Sequence, residues 1–304
     1  MMRNEAVPLP DVTPTHRQAL SVRLLVSPAM FLLLLLVLIP SALVIFISMT
    51  NYRLGASSLT FVWFKNYIDL AHNPLFRVSL LNTAIYVAIV LPLSTGLGLA
   101  VAMLMERRNL LRPFYRVAYF LPATATMVAM ATVWQFLFLP NVGLFNQILG
   151  LFGFSGINFL GRPEIALYAL AAIGVWEGVA VNSVLFAAGL SAIPPHLYDA
   201  AEIDGVGSSW ERFRLVTWPM LGPTTMFVVV ITALKALQVF DTVAVLTHGG
   251  PTQSTEVLFY TMYTEAFRYF RIGCASALTV VILALTIALA LIQVRAMERR
   301  VHYS

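Results

Sequence analysis

Charge is what this sequence has least of. Of its 304 residues only 11% are Asp, Glu, Lys or Arg, against 59% hydrophobic, and mean hydropathy is +0.82. A soluble domain carries about 25% charged residues, and an ordinary core of this size cannot bury so much apolar surface. There is one cysteine, Cys274, which excludes an intrachain disulfide and a cysteine-built metal cluster. It stands in GCASAL at the start of an apolar run and reads as a helix-packing residue. The five histidines, His16, His72, His196, His248 and His302, lack metal-ligand spacing, and no G-x-x-x-x-G-K-[ST] run is present. No Ser–His or paired-Asp arrangement at catalytic spacing lies in the apolar runs. These absences argue against a membrane enzyme, against a metal site and against ATP binding in the P-loop manner. The net charge of +5 bears on membrane orientation before it bears on nucleic acid.

Long apolar runs are what the sequence has in abundance, and they make the bilayer its solvent. A helix needs about 20 apolar residues to cross the hydrocarbon. Six stretches qualify: residues 24–48, 78–105, 115–139, 165–190, 220–246 and 273–294. The fold expected is all-α and polytopic, with six transmembrane helices. The first run is too long for a cleaved signal peptide, and no small-residue cleavage site follows it. Residues 1–23 form a polar, proline-containing tail, residues 24–296 the transmembrane domain, and residues 297–304 a short second tail. Twelve of the nineteen Lys and Arg fall in the two tails and the second and fourth loops, and six fall in the other loops. The positive side marks the cytoplasm, so both termini are expected there. In one outer loop, Leu144, Ile148, Leu149, Leu151 and Phe152 form an amphipathic pattern suited to the membrane surface.

One compact block interrupts the apolar pattern: PHLYDAAEIDGVGSSWERFRLVTWP, residues 195–219. The pair Pro194–Pro195 suits a helix start. Leu197, Ala200, Ala201 and Ile203 can share one face, and Gly205 and Gly207 break the helix. Ser208 and Glu211 have the spacing of a capping box, which starts a second helix. The block is then a stiff cytoplasmic helix–turn–helix. It is either a solvated connector or a docking element in which small residues allow close approach and charges fix register.

At these residues the chain resembles a known family. YDAAEIDGVGSSWERFRLVTWPML is similar to the EAA loop of inner-membrane permeases of ABC importers, with Asp199, Ala200 and Ala201 at the Glu-Ala-Ala positions and Gly205 at the glycine. Asp199 replaces the family Glu and Trp218 the usual Leu. Further stretches, YRVAYFLPATATMVAMATVWQFLFLPNVGLFNQIL, GLSAIPPHLYDAAEIDGV and QVFDTVAVLTHGGPTQSTEVLFYTMYTEAFRYFRIGCASALTVVIL, resemble sugar-type and glycerol-phosphate-type permeases in the same order. The resemblance implies a type I importer permease in the bacterial inner membrane. Its implied partners are a second permease, a dimer of ABC ATPase subunits, an extracytoplasmic solute-binding protein and membrane lipid, with no nucleic acid. The permease itself then needs no cofactor, because ATP and Mg are bound by the ATPase subunits. Residues 194–219 become the coupling loop, with Asp199, Ala200, Ala201, Asp204 and Gly205 at the ATPase contact.

Ionisable residues at membrane depth are costly and point to function. Glu177 sits beside Trp176 and, further along, Asn182; Lys235, Gln238 and Asp241 follow at intervals of three in a later span and line one helical face. These six residues are the candidates for the substrate pathway: an aromatic ring can stack on the apolar face of a sugar while amides and carboxylates bind its hydroxyls. Glu177 and Lys235 can equally pair with each other, and Asp241 can face solvent. Trp134 and Gln135 are a further pathway candidate, Trp134 being equally an interfacial anchor. In THGGPTQST, Gly249-Gly250-Pro251 demands a sharp turn, placed by the resemblance near the binding-protein surface. A neutral di- or oligosaccharide is the expected substrate; glycerol 3-phosphate or a glycerophosphodiester is the alternative, because Lys235 could counter a phosphate. An ion-coupled secondary transporter is the rival from another class, but it would usually show internal repeats and has no use for the charged block.

Overall fold

A computed structural model describes residues 16–106, 114 and 124–298. The expected tail at residues 1–23 and the first part of the third span, residues 115–123, lie largely or wholly outside them. Among the described residues the secondary structure is helical, apart from one isolated bridge between Thr50 and Phe61.

Among the described residues four helices are long and apolar enough to cross a membrane: Leu25–Ser48, Pro74–Met105, Pro163–Ser191 and Ile272–Arg295. They match the expected first, second, fourth and sixth spans. The other two differ from expectation. Of the third, the described part is an 11-residue helix, Met127–Leu137. The fifth was expected to run unbroken over residues 220–246. It is instead a 16-residue helix, Gly222–Leu237, that stops at residues 238–240 and resumes as a short π-turn, Val243–Thr247. Sixteen residues rise about 24 Å, short of a hydrocarbon core of about 30 Å, so the second segment extends the span. Ser209–Met220 precedes it at an angle of 70° and therefore lies across the span.

Local chemistry sets the helix starts. Asn73 accepts the Leu75 amide (2.9 Å) and Pro74 opens the second span. Pro163, followed by Glu164 in the first turn, opens the fourth. Pro40 has no N–H for the preceding turn, and the first span widens into a π-turn at Leu34–Leu38 just before it.

The second and fourth spans form the main seam, and small residues allow it. A Cβ on Gly98 would lie 2.7 Å from the Asn182 Cβ, and one on Gly178 would lie 2.7 Å from the Ser94 Cβ. Such close approach is how helices associate where lipid removes the hydrophobic drive. Beside this seam lies the main buried cluster, which includes Tyr86, Val90, Leu170, Ile173, Ala236, Val239, Val243 and Val257.

Candidate functional site

The charged block folds as its sequence predicts. Pro195–Ile203 is a helix with proline at its start. Gly205 takes a φ of +88° and turns the chain. The Glu211 amide then donates to Ser208 Oγ (3.1 Å), and the Ser208 amide donates to Glu211 Oε2 (3.3 Å), completing the capping box. The Tyr198 and Thr217 hydroxyls, 3.2 Å apart, tie the two arms. Asp199, Ala200, Asp204 and Gly205 are exposed and Ala201 is buried. The face suggested for Leu197, Ala200, Ala201 and Ile203 does not form: Ala201 turns inward, whereas Ile203 is 87% exposed beside Glu202 and Asp204. Trp210 stacks on Phe213, centroids 5.6 Å apart, and remains exposed.

The second place is a cleft of about 220 Å³ between the second, fourth and fifth spans. Tyr86, Glu177, Lys235, Gln238, Asp241 and Thr242 line it together with Met127, Val239 and Phe240. Glu177 stands at the middle of the 29-residue fourth span. Lys235 lies in the last turn of its helix and Gln238 caps that helix. Asp241 begins the next segment. The continuous face expected for Lys235, Gln238 and Asp241 is therefore broken after Gln238, yet all three line the same cleft. Lys235 shares it with the carboxylates of Glu177 and Asp241, and no ion pair within 4.0 Å joins Lys235 to Glu177.

Asn182 and Trp176 are placed differently from these. Asn182 is buried; its Oδ1 accepts the Thr232 hydroxyl (3.0 Å) and its Nδ2 donates to Ser94 Oγ (3.4 Å), which links three spans. It borders a smaller recess of about 50 Å³ that shares Tyr86, Glu177 and Lys235 with the cleft. Trp176 meets Trp134 edge-on at 5.4 Å, and Trp134 stacks on Phe145. Tyr86 was not singled out in the sequence: a tyrosine in LNTAIYVAIV carries no signal of what faces it. The break at residues 238–240 was missed as well, because no glycine or proline marks it.

The THGGPTQST loop turns sharply, with positive φ at His248, Gly249, Thr252 and Gln253. The Thr255 hydroxyl contacts Thr247 Oγ1 (2.7 Å) and the Gly250 carbonyl (2.6 Å). Asn82 of the second span donates to the carbonyls of Gln253 (3.2 Å) and Glu256 (2.9 Å). Glu256 is buried under this loop. Burial pushes its carboxyl above the usual value; the Thr261 hydroxyl, 2.9 Å from Oε1, and the Arg268 cation pull it back in part. The other loop helix, Leu144–Leu151, forms on the amphipathic pattern, and Leu151 and Phe152 project outward.

Comparison with known proteins gives a consistent picture. Residues 93–303 match the family described as "Binding-protein-dependent transport system inner membrane component". The sn-glycerol-3-phosphate transport system permease protein UgpA of Agrobacterium fabrum is 31% identical, over 92% of this chain and 95% of its own length. The trehalose/maltose transport system permease protein MalF of Thermococcus litoralis is 30% identical, over 92% and 94%. Among solved structures, a chain of a bacterial alginate ABC transporter, crystallised with its alginate pentasaccharide-bound periplasmic protein, superposes with a TM-score of 0.81. It is 19% identical over 95% of this chain and 97% of that one.

Proposed function

As a member of the binding-protein-dependent transport system inner membrane components, the chain is an ABC importer permease of the sugar and glycerol-phosphate type, a transport subunit and not an enzyme, and we propose that it passes a di- or oligosaccharide through the cleft bounded by Tyr86, Glu177, Lys235, Gln238 and Asp241. The observation that carries this reading is the interrupted fifth span. Non-helical backbone at membrane depth is tolerated where it lines a cavity, and discontinuous helices are where transporters build substrate sites. Here the interruption puts Gln238 and Asp241 opposite Glu177 in a polar cleft.

In this reading Asp199, Ala200, Asp204 and Gly205, the exposed members of the expected contact, meet an ABC ATPase dimer on the cytoplasmic side, while Ala201 packs inward beneath them. A second permease completes the channel, and a solute-binding protein delivers the sugar from the opposite side. ATP and Mg belong to the ATPase. The stiff capped arms of the loop carry motion into the fifth span, since Ser209–Met220 leads into it directly.

Lys235 favours the second reading. It lines the cleft and has no direct ion pair among the described residues, which suits glycerol 3-phosphate or a glycerophosphodiester. Uptake into proteoliposomes holding the complete importer separates the two. Competition by disaccharides and not by glycerol 3-phosphate is the result expected; the reverse pattern assigns the cleft to the phosphate, and uptake driven by an ion gradient without ATP overturns both.

A further inference from the structure

A second polar recess, of about 330 Å³, lies at the end of the bundle opposite residues 195–217. Its polar lining includes Asn51, Arg53, Lys65, Asp69, Glu265 and Arg271. Its walls are stitched by hydrogen bonds to backbone carbonyls. Asn66 Nδ2 donates to the carbonyls of Ser48 (2.7 Å) and Thr50 (2.8 Å); the Gly273 amide donates to the Tyr52 carbonyl (2.9 Å), and the Leu54 amide to the Phe270 carbonyl (3.0 Å). A Cβ on Gly273 would run into the Thr50 carbonyl, so the two strips of chain sit as close as they can. The recess is thus a shaped feature held by the outer ends of the first and last spans.

Its charges are unequal. Glu265 is buried and its Oε1 accepts Arg271 Nη2 (2.6 Å), so that pair cancels. Arg53 and Lys65 are exposed at the rim, and the side chains of described residues give them no hydrogen bond or ion pair. Asp69 is the one opposing charge left in the lining. The recess therefore attracts an anion. It has no lining residue in common with the central cleft.

Resting on the reading above that this end faces a solute-binding protein, we propose that the recess is a socket for an acidic side chain of that protein, gripped between Arg53 and Lys65. Rim charges of this kind set the rate and register of docking more than its ultimate strength.

The test uses the complete importer in lipid nanodiscs, with ATP hydrolysis titrated by its solute-binding protein. Arg53→Glu with Lys65→Glu should raise the half-maximal concentration roughly tenfold. Asp69→Asn should lower it. Added NaCl should raise it for the wild type and much less for the double variant. Arg53→Gln with Lys65→Gln introduces no new charge and should move it the same way by less, which keeps the test intact if the reversal disturbs folding. An unchanged half-maximal concentration in these variants overturns the proposal while leaving the importer reading in place. So does a loss of uptake at saturating binding protein, which would assign the recess to substrate. An effect that follows the anionic lipid content of the disc, and not the binding protein, gives the cations to headgroups and also overturns it. If no binding protein stimulates the wild type, the reading of this end falls first and takes the proposal with it.

Discussion

The helix–turn–helix at residues 195–217 and the central cleft are built in opposite ways. The first is contiguous. Each of its ends is set by residues a few positions away: Pro195 at the start, Gly205 at the turn, Ser208 with Glu211 at the restart. The second is assembled from three spans, with Tyr86, Glu177 and Lys235 brought together by seams between helices. The contrast teaches where rigidity is needed. An element that passes force must keep its shape without help, so it is capped locally. A site that must open and close is better divided among helices that can slide.

Breaking the contiguous element should have the larger effect. Gly205→Arg puts a side chain where φ is +88°, at a local cost of about 1–2 kcal/mol, and redirects the arm carrying Ser209–Met220. The permease should still insert, but uptake should fall to background while ATP hydrolysis persists. Normal uptake by this variant removes the docking role. Next in size is a change at the seam that shapes the cleft. Gly178→Leu drives a side chain into Ser94 and should destabilise the purified permease by about 1–3 kcal/mol, read as a lower Tm. An unchanged Tm would mean that the second and fourth spans are not in such close contact.

Within the cleft the effect should be smaller and of another kind. Gln238→Ala removes one hydrogen-bonding group, about 0.5–1.5 kcal/mol. Substrate KM or transport rate should therefore shift by several-fold, with co-purification of the ATPase intact. If neither moves, the interruption at residues 238–240 is structural. The smallest effect concerns pH. Burial raises the Glu256 carboxyl above its ordinary 4.5, so the folded chain keeps that proton to higher pH than the unfolded chain does. Its share of the stability is whole below the ordinary value and is lost as pH climbs through the raised one. Glu256→Gln should flatten the Tm-against-pH curve in that window; an unaltered slope would show that another group sets it.

The same contrast explains what could be read from the sequence. Six spans stood out because hydropathy over about 20 residues is a local property, and four of them are whole helices among the described residues; the capping box stood out because its partners are three residues apart. The break in the fifth span did not, since LKALQVFDTV holds no glycine or proline and reads as one helix with a polar stripe. Gln238, Asp241, Glu177 and Lys235 could be picked by their polarity, yet their meeting in one cleft depends on packing. Tyr86 gave no sign at all. Asn182 was visible as a polar residue at depth; its bonds to Ser94 and Thr232 show only when three spans are brought together. Ile203 is the reverse case. Its apolar character suggested a face shared with Leu197, Ala200 and Ala201, and it stands exposed while Ala201 is buried.

The central claim is that residues 195–217 face the cytoplasm and meet an ATPase there. Cys274 is the sole cysteine, so Cys274→Ala gives a background in which Asp204→Cys, at an exposed position, is the one reactive thiol. A membrane-impermeant maleimide is applied to intact spheroplasts and to inside-out vesicles of the working importer. The account predicts labelling in inside-out vesicles alone, and protection of that thiol when the ATPase subunits are bound. Labelling from the outside of spheroplasts, or equal labelling with and without the ATPase, would contradict it.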